Sequence, residues 1–293
     1  MIWLIGNKGM LGTQADLGLS AAGIEHVGSD RELSILDSGA MEAFVRGKKL
    51  SWIVNCAAYT AVEKAEDEVE LCTRLNAEGP GNVARLANAI GAGILHISTD
   101  YVFDGSGSRP YREDDPVAPI GVYGRSKAEG EAAVRAVCPH NVILRTAWLY
   151  GEHGGNFVYT MLRLMKTKER IGVVADQRGT PTWALDLAAA IAAIISASTP
   201  RYGTYHYTNE GETSWHEFAL EIQRLGRTYG ILDHDCVMNP LTTAQFPTKV
   251  RRPAYSVLSK DAIKAAFGMA IPEWRTSLES FFKENRERMG SRL

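Results

Sequence analysis

The chain has 293 residues, a length that fits one large domain or two modest ones. Hydrophobic residues make up 45% of it, charged residues make up 23%, and the formal net charge is −2. This composition excludes wholesale disorder, which requires low hydrophobicity and high net charge, and a near-neutral chain has no global basic field for nucleic acid or an anionic membrane.

In the first half, short apolar runs bounded by turn residues alternate with segments of helical periodicity. Runs that are polar on neither face predict strands covered on both sides, at residues 2–5, 52–54, 94–97 and 142–144, with a weaker strand near 25–27. Apolar residues at helical spacing predict helices over residues 10–22, 79–90 and 126–137. This alternation predicts an α/β fold with a doubly wound parallel sheet of Rossmann type.

The second half is predicted to be mostly helical. Helices are expected over residues 156–168, 182–196, 214–227 and 259–267. Ser214 and Glu217 form a capping box that predicts the start of the third of these helices. Strand patterns are few and short, at residues 172–174, 204–207 and 254–258. We therefore predict a Rossmann domain over residues 1–150, joined by residues 180–200, and a smaller, mostly helical lobe over residues 151–293.

A glycine-rich turn joins the first predicted strand to the first predicted helix. Gly6, Gly9 and Gly12 let the backbone turn tightly and approach a pyrophosphate, and the helix N-terminus adds free N–H groups and partial positive charge. A Rossmann fold binds its dinucleotide at this position. Asp30 follows the second strand, where an acid usually binds the ribose hydroxyls of NAD, but Arg31 could pair with the 2′-phosphate of NADP instead. These two cofactors stay open alternatives.

Tyr123 and Lys127 form the only Tyr-x-x-x-Lys pair in the sequence. On a helix they lie on one face, where the lysine ammonium is expected to lower the pKa of the phenol and make it a proton donor to a carbonyl oxygen. Thr99 follows the strand predicted over residues 94–97, at the carboxyl edge of the sheet where ligands bind. Its hydroxyl could hydrogen-bond a substrate carbonyl. Together these features indicate proton transfer to or from a carbonyl beside a dinucleotide.

These motifs resemble those of an extended short-chain dehydrogenase/reductase and, in more detail, those of the dTDP-4-dehydrorhamnose reductase family. Beyond the glycine turn, the similarity extends over nearly the whole chain in ordered blocks. These blocks lie at residues 54–66, 75–77, 98–105, 122–127, 144–151, 156–157, 176–182 and 252–258.

The resemblance implies reduction of the 4-keto group of dTDP-4-dehydro-L-rhamnose to dTDP-L-rhamnose, with NADPH or NADH as cofactor. It implies that Tyr123 protonates the C4 oxygen and that Thr99 orients the carbonyl. It also implies that Lys127 lowers the pKa of Tyr123 and binds the nicotinamide ribose. A nucleotide sugar is then the small-molecule partner.

Most of the remaining site residues follow from the same resemblance. The cofactor-binding residues are expected to be Gly6, Lys8, Gly9, Met10, Leu11, Gly12, Ala57, Ala58, Tyr59, Tyr123 and Lys127, with Asp30 and Arg31 at the adenosine end. The substrate-binding residues are expected to be Thr99, Asp100, Tyr101, Trp148, Thr60 and Val62. Arg252 is a candidate for the diphosphate because a guanidinium matches phosphate oxygens bidentately, and a structural Arg-Pro turn is the alternative.

Some family members dimerise through a metal held partly by an acid in the first helix. Gln14 stands at that position here and is a weak ligand. We therefore expect no metal, and either a monomer or a homodimer. The charged run Glu63, Lys64, Glu66, Asp67 and Glu68 is typical of a solvated helix face.

Two other functions share these residues. One is reduction or epimerisation of another nucleotide sugar, which would use the same catalytic trio. The other is a non-catalytic regulatory subunit that binds NADP, since relatives of this reductase serve as partners of a methionine-activating enzyme. Turnover of a keto sugar separates the enzyme from the regulator, and intact Tyr123, Lys127 and Thr99 favour the enzyme.

The cysteines and the apolar runs bear on the compartment. The four cysteines, Cys56, Cys72, Cys138 and Cys236, include no Cys-x-x-Cys pair and are expected to be thiols, which indicates a reducing compartment. No signal-peptide pattern is visible, and the longest apolar run, over residues 187–197, is too short to span a bilayer. We expect a cytoplasmic protein.

Overall fold

The computed structural model of the protein describes residues 1–292. The strands within this range are β1 (Ile2–Ile5), β2 (His26–Ser29), β3 (Trp52–Asn55), β4 (Gly93–Thr99), β5 (Asn141–Thr146), β6 (Leu149–Tyr150), β7 (Arg170–Val174), β8 (Arg178–Gly179), β9 (Thr182–Trp183), β10 (Gly203–His206), β11 (Thr213–Ser214) and β12 (Val237–Leu241). The helices are α1 (Met10–Ala21), α2 (Ser38–Val45), α3 (Val62–Ala65), α4 (Val69–Thr73), α5 (Gly79–Ala89), α6 (Val122–Val137), α7 (Phe157–Thr167), α8 (Ala184–Ile195), α9 (Trp215–Thr228), α10 (Asp261–Phe267) and α11 (Trp274–Arg292).

A parallel sheet in the order β10-β5-β4-β3-β1-β2 forms the centre of the fold. Every residue of β1, β3 and β5 is buried, as expected for strands covered on both faces. Helices α1 and α8 pack on one face, through residues such as Leu19 and Ile191. Helices α2 and α5 pack on the other face, through residues such as Met41 and Val83. The predicted doubly wound α/β fold is confirmed.

The second half adds a lobe with a core of its own. Helices α7, α9 and α11 enclose an aromatic-rich cluster that includes Tyr159, Phe218 and Phe281. The predicted capping box is present: Ser214 Oγ accepts from the Glu217 N–H at 3.1 Å, and Glu217 Oε2 accepts from the Ser214 N–H at 2.8 Å. Residues 1–292 include no helix that is both long and apolar enough to cross a membrane.

Three predicted elements differ from the structure, each because of a contact distant in sequence. Helix α6 begins at Val122 rather than at residue 126, since a carboxylate oxygen of Glu66 accepts from the Val122 N–H at 2.8 Å and caps the earlier start. Thr182 pairs in β9 with β6, so α8 begins at Ala184. Residues 254–258 form isolated bridges to Arg178 and Tyr111 rather than a strand.

The segment predicted as a strand over residues 204–207 also has an unpredicted position. It forms β10, which pairs with β5 and extends the central sheet by one strand, although it comes after the first two helices of the second half. The sequence analysis did not predict helices α2 and α11. Helix α11 has 19 residues and a polar majority, so its helical periodicity is weak.

Candidate active site

The glycine turn between β1 and α1 has a backbone that only glycine accommodates. Gly6 has φ of +78°, and a Cβ atom there would lie 2.8 Å from the backbone nitrogen of Ala57. A Cβ atom at Gly12 would lie 1.9 Å from the carbonyl oxygen of Gly6. Gly9 caps α1 without a side-chain hydrogen bond, and the first turn of the helix contains no acidic residue. The helix N-terminus therefore keeps N–H donors and partial positive charge for an anion.

The carboxyl end of β2 lies beside this turn. The carbonyl oxygen of Ser29 accepts from the N–H groups of Gly6 and Asn7, at 2.7 and 3.2 Å, and Asp30 follows directly. Lys8 forms an exposed ion pair with Glu32 at 3.2 Å, and Glu32 also accepts from the Asp30 N–H. The side-chain oxygen of Asn7 is buried and has no hydrogen-bond partner within residues 1–292. This set of amides, glycines and charges fits the pyrophosphate and adenosine half of a dinucleotide.

The loop after β3 is held in place by one asparagine. Asn76 Oδ1 accepts from the Tyr59 N–H at 2.8 Å, and Asn76 Nδ2 donates to the Tyr59 carbonyl at 3.0 Å. Asn76 lies in a π-helical turn, Arg74–Glu78, a feature that is frequent at functional sites. The Tyr59 hydroxyl donates to Glu68 at 2.8 Å. Ala57, Ala58 and Tyr59 thus border the glycine turn in a fixed conformation.

Thr99 ends β4, and Asp100 follows it at the carboxyl edge of the sheet. Thr99 Oγ1 donates to Asp100 Oδ1 at 3.0 Å and accepts from the Tyr101 N–H at 3.2 Å. The other carboxylate oxygen of Asp100 makes no hydrogen bond to any described residue. Burial raises the pKa of Asp100 to about 6, against the opposing effects of Ser256 and Thr99. An unpartnered buried oxygen of this kind suits a ligand hydroxyl.

Tyr123 and Lys127 lie in the first turns of α6, at the same edge. Burial raises the pKa of Tyr123 above its ordinary value, and the Thr99 hydroxyl opposes this rise. Lys127 is not among the main influences on this phenol, so the expectation that it lowers the pKa of Tyr123 stays a prediction. Lys127 Nζ instead donates to the Ile97 carbonyl at 2.6 Å. A phenol with a raised pKa stays protonated at neutral pH and is available as a proton donor.

Arg252 approaches the site from the second lobe. Its Nη2 donates to Glu63 Oε1 at 2.9 Å, while its buried Nε has no partner among residues 1–292. Burial raises the pKa of Tyr101 to about 12, and the positive charge of Arg252 works against this rise. The guanidinium therefore lies close to that phenol. The rings of Tyr101 and Tyr123 meet edge-on, with centroids 5.4 Å apart. Arg252, Tyr101 and Tyr123 therefore lie in one group.

The acidic run over residues 63–68 is largely exposed, as the sequence predicted, and its carboxylates also have specific partners. Glu63 pairs with Arg252, Glu66 caps α6, Asp67 pairs with Lys249 and Glu68 accepts from Tyr59. The segment is short, Val62–Ala65 being a single turn, so its side chains reach several neighbours. Thr60 is exposed and Val62 is half-buried at its start.

Trp148 has the only left-handed backbone among the non-glycine residues described, with φ of 47°. Its indole stacks on that of Trp215, with centroids 3.5 Å apart and planes 10° apart. A Cβ atom at Gly179 would lie 2.5 Å from the indole, so Gly179 makes room for it. Strained residues of this kind persist when their surroundings determine the conformation, and they cluster at functional sites.

The fold brings most of the expected residues to one edge of the sheet. Sequence reasoning missed Asn76, Glu66 and Trp215 as supports, together with His96, which lies buried on β4 beside Lys127. A histidine inside an otherwise apolar strand is a signal that could have identified His96. The partners of Glu66 and Trp215 are distant in sequence and leave no such pattern.

Comparisons with a family model and with known proteins match most of the chain. A family model described as the RmlD substrate binding domain matches residues 1–287. The chain is 42% identical over 253 residues to the dTDP-4-dehydrorhamnose reductase of Aggregatibacter actinomycetemcomitans, covering 85% of this chain and 86% of that relative.

Two solved structures resemble the whole chain. The dTDP-4-dehydrorhamnose reductase from Clostridium acetobutylicum is 42% identical with a TM-score of 0.91, covering 97% of this chain and 99% of that chain. The enzyme of that name from Bacillus anthracis, in complex with NADP, is 38% identical with a TM-score of 0.90, covering 97% of this chain and 98% of that chain.

Proposed function

Because the chain belongs to the dTDP-4-dehydrorhamnose reductase family, we propose that it reduces dTDP-4-dehydro-L-rhamnose to dTDP-L-rhamnose with NADPH or NADH. The single observation that carries this proposal is the convergence of Thr99, Tyr123 and Lys127 beside an uncapped, glycine-lined helix N-terminus. Such a site can bind a dinucleotide next to a proton donor.

The cofactor half of the site uses backbone as much as side chains. The turn from Gly6 to Gly12 and the N-terminus of α1 would bind the pyrophosphate, with Lys8, Met10 and Leu11 beside it. Asp30 and Arg31 would contact the adenosine end, and residues 57–59 would border the nicotinamide end. When bound, the reduced nicotinamide supplies the hydride for sugar C4. The NADP complex of the Bacillus anthracis relative supports this assignment.

Tyr123 is the proposed acid. Its protonated phenol would donate to the C4 oxygen as negative charge develops there, and the Lys127 ammonium would stabilise the phenolate that remains. Thr99 would orient the carbonyl by turning its hydroxyl hydrogen from Asp100 to the substrate oxygen. The raised pKa of Tyr123 supports a reductase because the phenol then stays protonated until negative charge develops on the C4 oxygen.

The nucleotide sugar would lie between the sheet edge and the second lobe. The unpartnered oxygen of Asp100 suits a hexose hydroxyl, and Tyr101 and Trp148 would flank the ring. The free Nε of Arg252 suits a diphosphate oxygen. Thr60 and Val62 would complete the hexose side.

Residues 1–150 with 180–200 are the proposed cofactor domain, and 151–293 mainly the substrate-binding lobe. The packing of α8 on α1 supports this division, and β10 extends the cofactor domain. We propose a cytoplasmic monomer or homodimer. The four free thiols support that compartment.

The test follows absorbance at 340 nm with NADPH or NADH and enzymatically prepared dTDP-4-dehydro-L-rhamnose. Wild type should turn over, and Tyr123→Phe should lose about 10²–10⁴-fold in kcat because only the proton donor is removed. The cofactor Kd of the variant should stay within about twofold of the wild-type value, since the phenyl ring remains.

Tyr202→Phe is the matched control, because Tyr202 is an exposed tyrosine against Trp52 and His140, and its hydroxyl is outside the site. It should leave kcat unchanged. Cofactor binding without turnover by the wild type would favour the regulatory-subunit alternative or another nucleotide sugar. Full activity in Tyr123→Phe would overturn the role of Tyr123.

A further inference from the structure

His96 lies at the centre of the fold, between Asn55 and Lys127, the second of which belongs to the proposed site. It is fully buried on β4, directly opposite Asn55 of β3 in the parallel pairing. Its ring nitrogens face Asn55 on one side and Lys127 on the other. Burial, reinforced by the charge of Lys127, lowers the pKa of His96 well below its ordinary value, so the ring is neutral. A neutral imidazole has one N–H donor and one acceptor nitrogen.

Asn55 decides which nitrogen is the acceptor. Its Oδ1 accepts from the Ala57 N–H at 3.1 Å, which fixes the orientation of the amide. The amide nitrogen therefore faces His96 Nδ1, at 3.2 Å. Since an amide NH₂ only donates, Nδ1 must accept, and the single ring proton lies on Nε2. His96 accordingly directs an N–H group toward Lys127 Nζ, 3.4 Å away.

This arrangement affects the two forms of Lys127 differently. An ammonium group has only donors and cannot accept from the imidazole N–H, whereas a neutral amine has a lone pair that can. Both forms can donate to the Ile97 carbonyl, which lies 2.6 Å from Nζ. The imidazole N–H thus favours the neutral amine over the ammonium.

The other titratable groups around Lys127 come from three elements. Burial lowers the pKa of Lys127 to about 8, and Glu131, one turn further along α6, opposes this most strongly. Cys56 after β3 and Cys72 on α4 also oppose it when ionised, but burial raises the pKa of both thiols. Tyr123 lies one turn earlier on α6 and stays protonated.

We propose that Asn55 and His96 form a positioning pair that directs an imidazole N–H at Lys127 and thereby sets the alkaline limit of the reductase. The inference rests on the proposed function, in which the Lys127 ammonium stabilises the Tyr123 phenolate. As pH rises and Lys127 loses its proton, that stabilisation disappears and kcat falls. The pair determines where this fall begins.

The test reverses the tautomer with a near-isosteric change that also adds a buried negative charge, and then repeats the measurement in a variant without that charge. In Asn55→Asp, one carboxylate oxygen keeps the Ala57 N–H and the other accepts from His96 Nδ1–H, so Nε2 becomes an acceptor for the Lys127 ammonium. The alkaline limb of kcat against pH, at saturating substrate, should move up by about one unit or more. His96→Gln should move it in the same direction, because the amide can turn its oxygen to the ammonium. His140→Gln, at an exposed histidine, should leave the limb in place.

A second measurement does not depend on turnover. In protein labelled with ¹⁵N-histidine, NMR should show a neutral ring with a protonated Nε2 and a bare Nδ1 whose signals are missing from His96→Gln. A protonated Nδ1 in the ring of His96 would overturn the inference, and so would the expected tautomer with an unmoved alkaline limb in both variants. An inactive wild type with the expected tautomer would refute the proposed function and with it the alkaline limit, while the arrangement of Asn55 and His96 would stand.

Discussion

Two charge clusters join the elements around the active site, and they differ in exposure. The buried cluster consists of Ser98, Glu131 and Arg145. The exposed cluster consists of Glu63, Asp67, Lys249 and Arg252. Side chains of the first are 0–3% exposed, whereas those of the second are 32–62% exposed. Both contain close ion pairs, so the difference between them lies in access to water.

In the buried cluster, every charge has a specific partner. Arg145 donates to both oxygens of Glu131, at 2.8 and 2.7 Å, and Ser98 donates to the same carboxylate at 2.6 Å. This cluster joins β4, β5 and α6 one turn beyond Lys127. With water excluded, loss of one partner leaves a buried charge uncompensated. The cluster therefore fixes the geometry beneath the proposed catalytic residues.

In the exposed cluster, water competes for each charge, so the pairs stabilise the fold little and can exchange partners. The Glu63–Arg252 pair joins the start of α3 to the second lobe. A ligand phosphate could replace Glu63 at small cost. The comparison indicates that similar ion pairs have different roles. Buried pairs support the site rigidly, and exposed pairs can exchange partners.

The largest effect should come from Glu131→Gln. Removal of this charge leaves Arg145 buried without its counterion, and we expect a loss of about 3–5 kcal/mol in the free energy of unfolding. Urea titration would measure it. Glu129→Gln, an exposed neighbour on the same helix, should change stability by less than about 0.5 kcal/mol. Equal losses in the two variants would break the comparison.

The same pair predicts a dependence on pH. Burial favours the protonated form of Glu131, but the hydrogen bonds and charge of Arg145 outweigh it and lower the pKa of Glu131. A depressed folded-state pKa stabilises the fold fully above the unfolded value and less as pH falls through the folded value. The stability difference between wild type and Glu131→Gln should therefore shrink in acid. A constant difference down to the acid transition would contradict this.

An intermediate effect should come from Glu66, which caps α6 from outside the helix. Glu66→Ala removes the acceptor of the Val122 N–H and should cost about 0.5–2 kcal/mol. Glu66→Gln keeps an acceptor oxygen and loses only the charge at the helix N-terminus, which should cost about 0.3–1 kcal/mol. Urea midpoints at matched m-values would rank the two. Equal losses in the two variants would show that the charge, and not the hydrogen bond, dominates.

The smallest stability effect should come from Glu63→Gln, at most about 1 kcal/mol and smaller at high salt. Since the change also removes the rival of a substrate diphosphate at Arg252, the substrate KM should fall. Asp67→Asn breaks the neighbouring pair with Lys249 without touching Arg252, so its KM should not move. Steady-state kinetics at two salt concentrations would compare them. An unchanged KM in Glu63→Gln would remove Arg252 from the proposed diphosphate site.

Local patterns in the sequence were enough to predict the sheet, the glycine turn and the proposed catalytic trio. Continuous apolar runs identify strands buried on both faces, and parallel strands bring their carboxyl ends to one edge. Gly6, Gly12, Thr99 and Tyr123 therefore come together by topology alone. The helix boundary at Val122 was missed because its cap, Glu66, is 56 residues away.

The sequence by itself determined which residues could carry the chemistry, because backbone conformation and strand burial depend on neighbours a few positions apart. Only the tertiary structure decided the state of those residues. It determines the direction in which the pKa of Tyr123 shifts, the tautomer of His96 and the partners of the acidic run. Each depends on desolvation and on hydrogen bonds between residues distant in the chain. Such contacts leave no local pattern, since the residues around each partner do not show which distant residue it contacts.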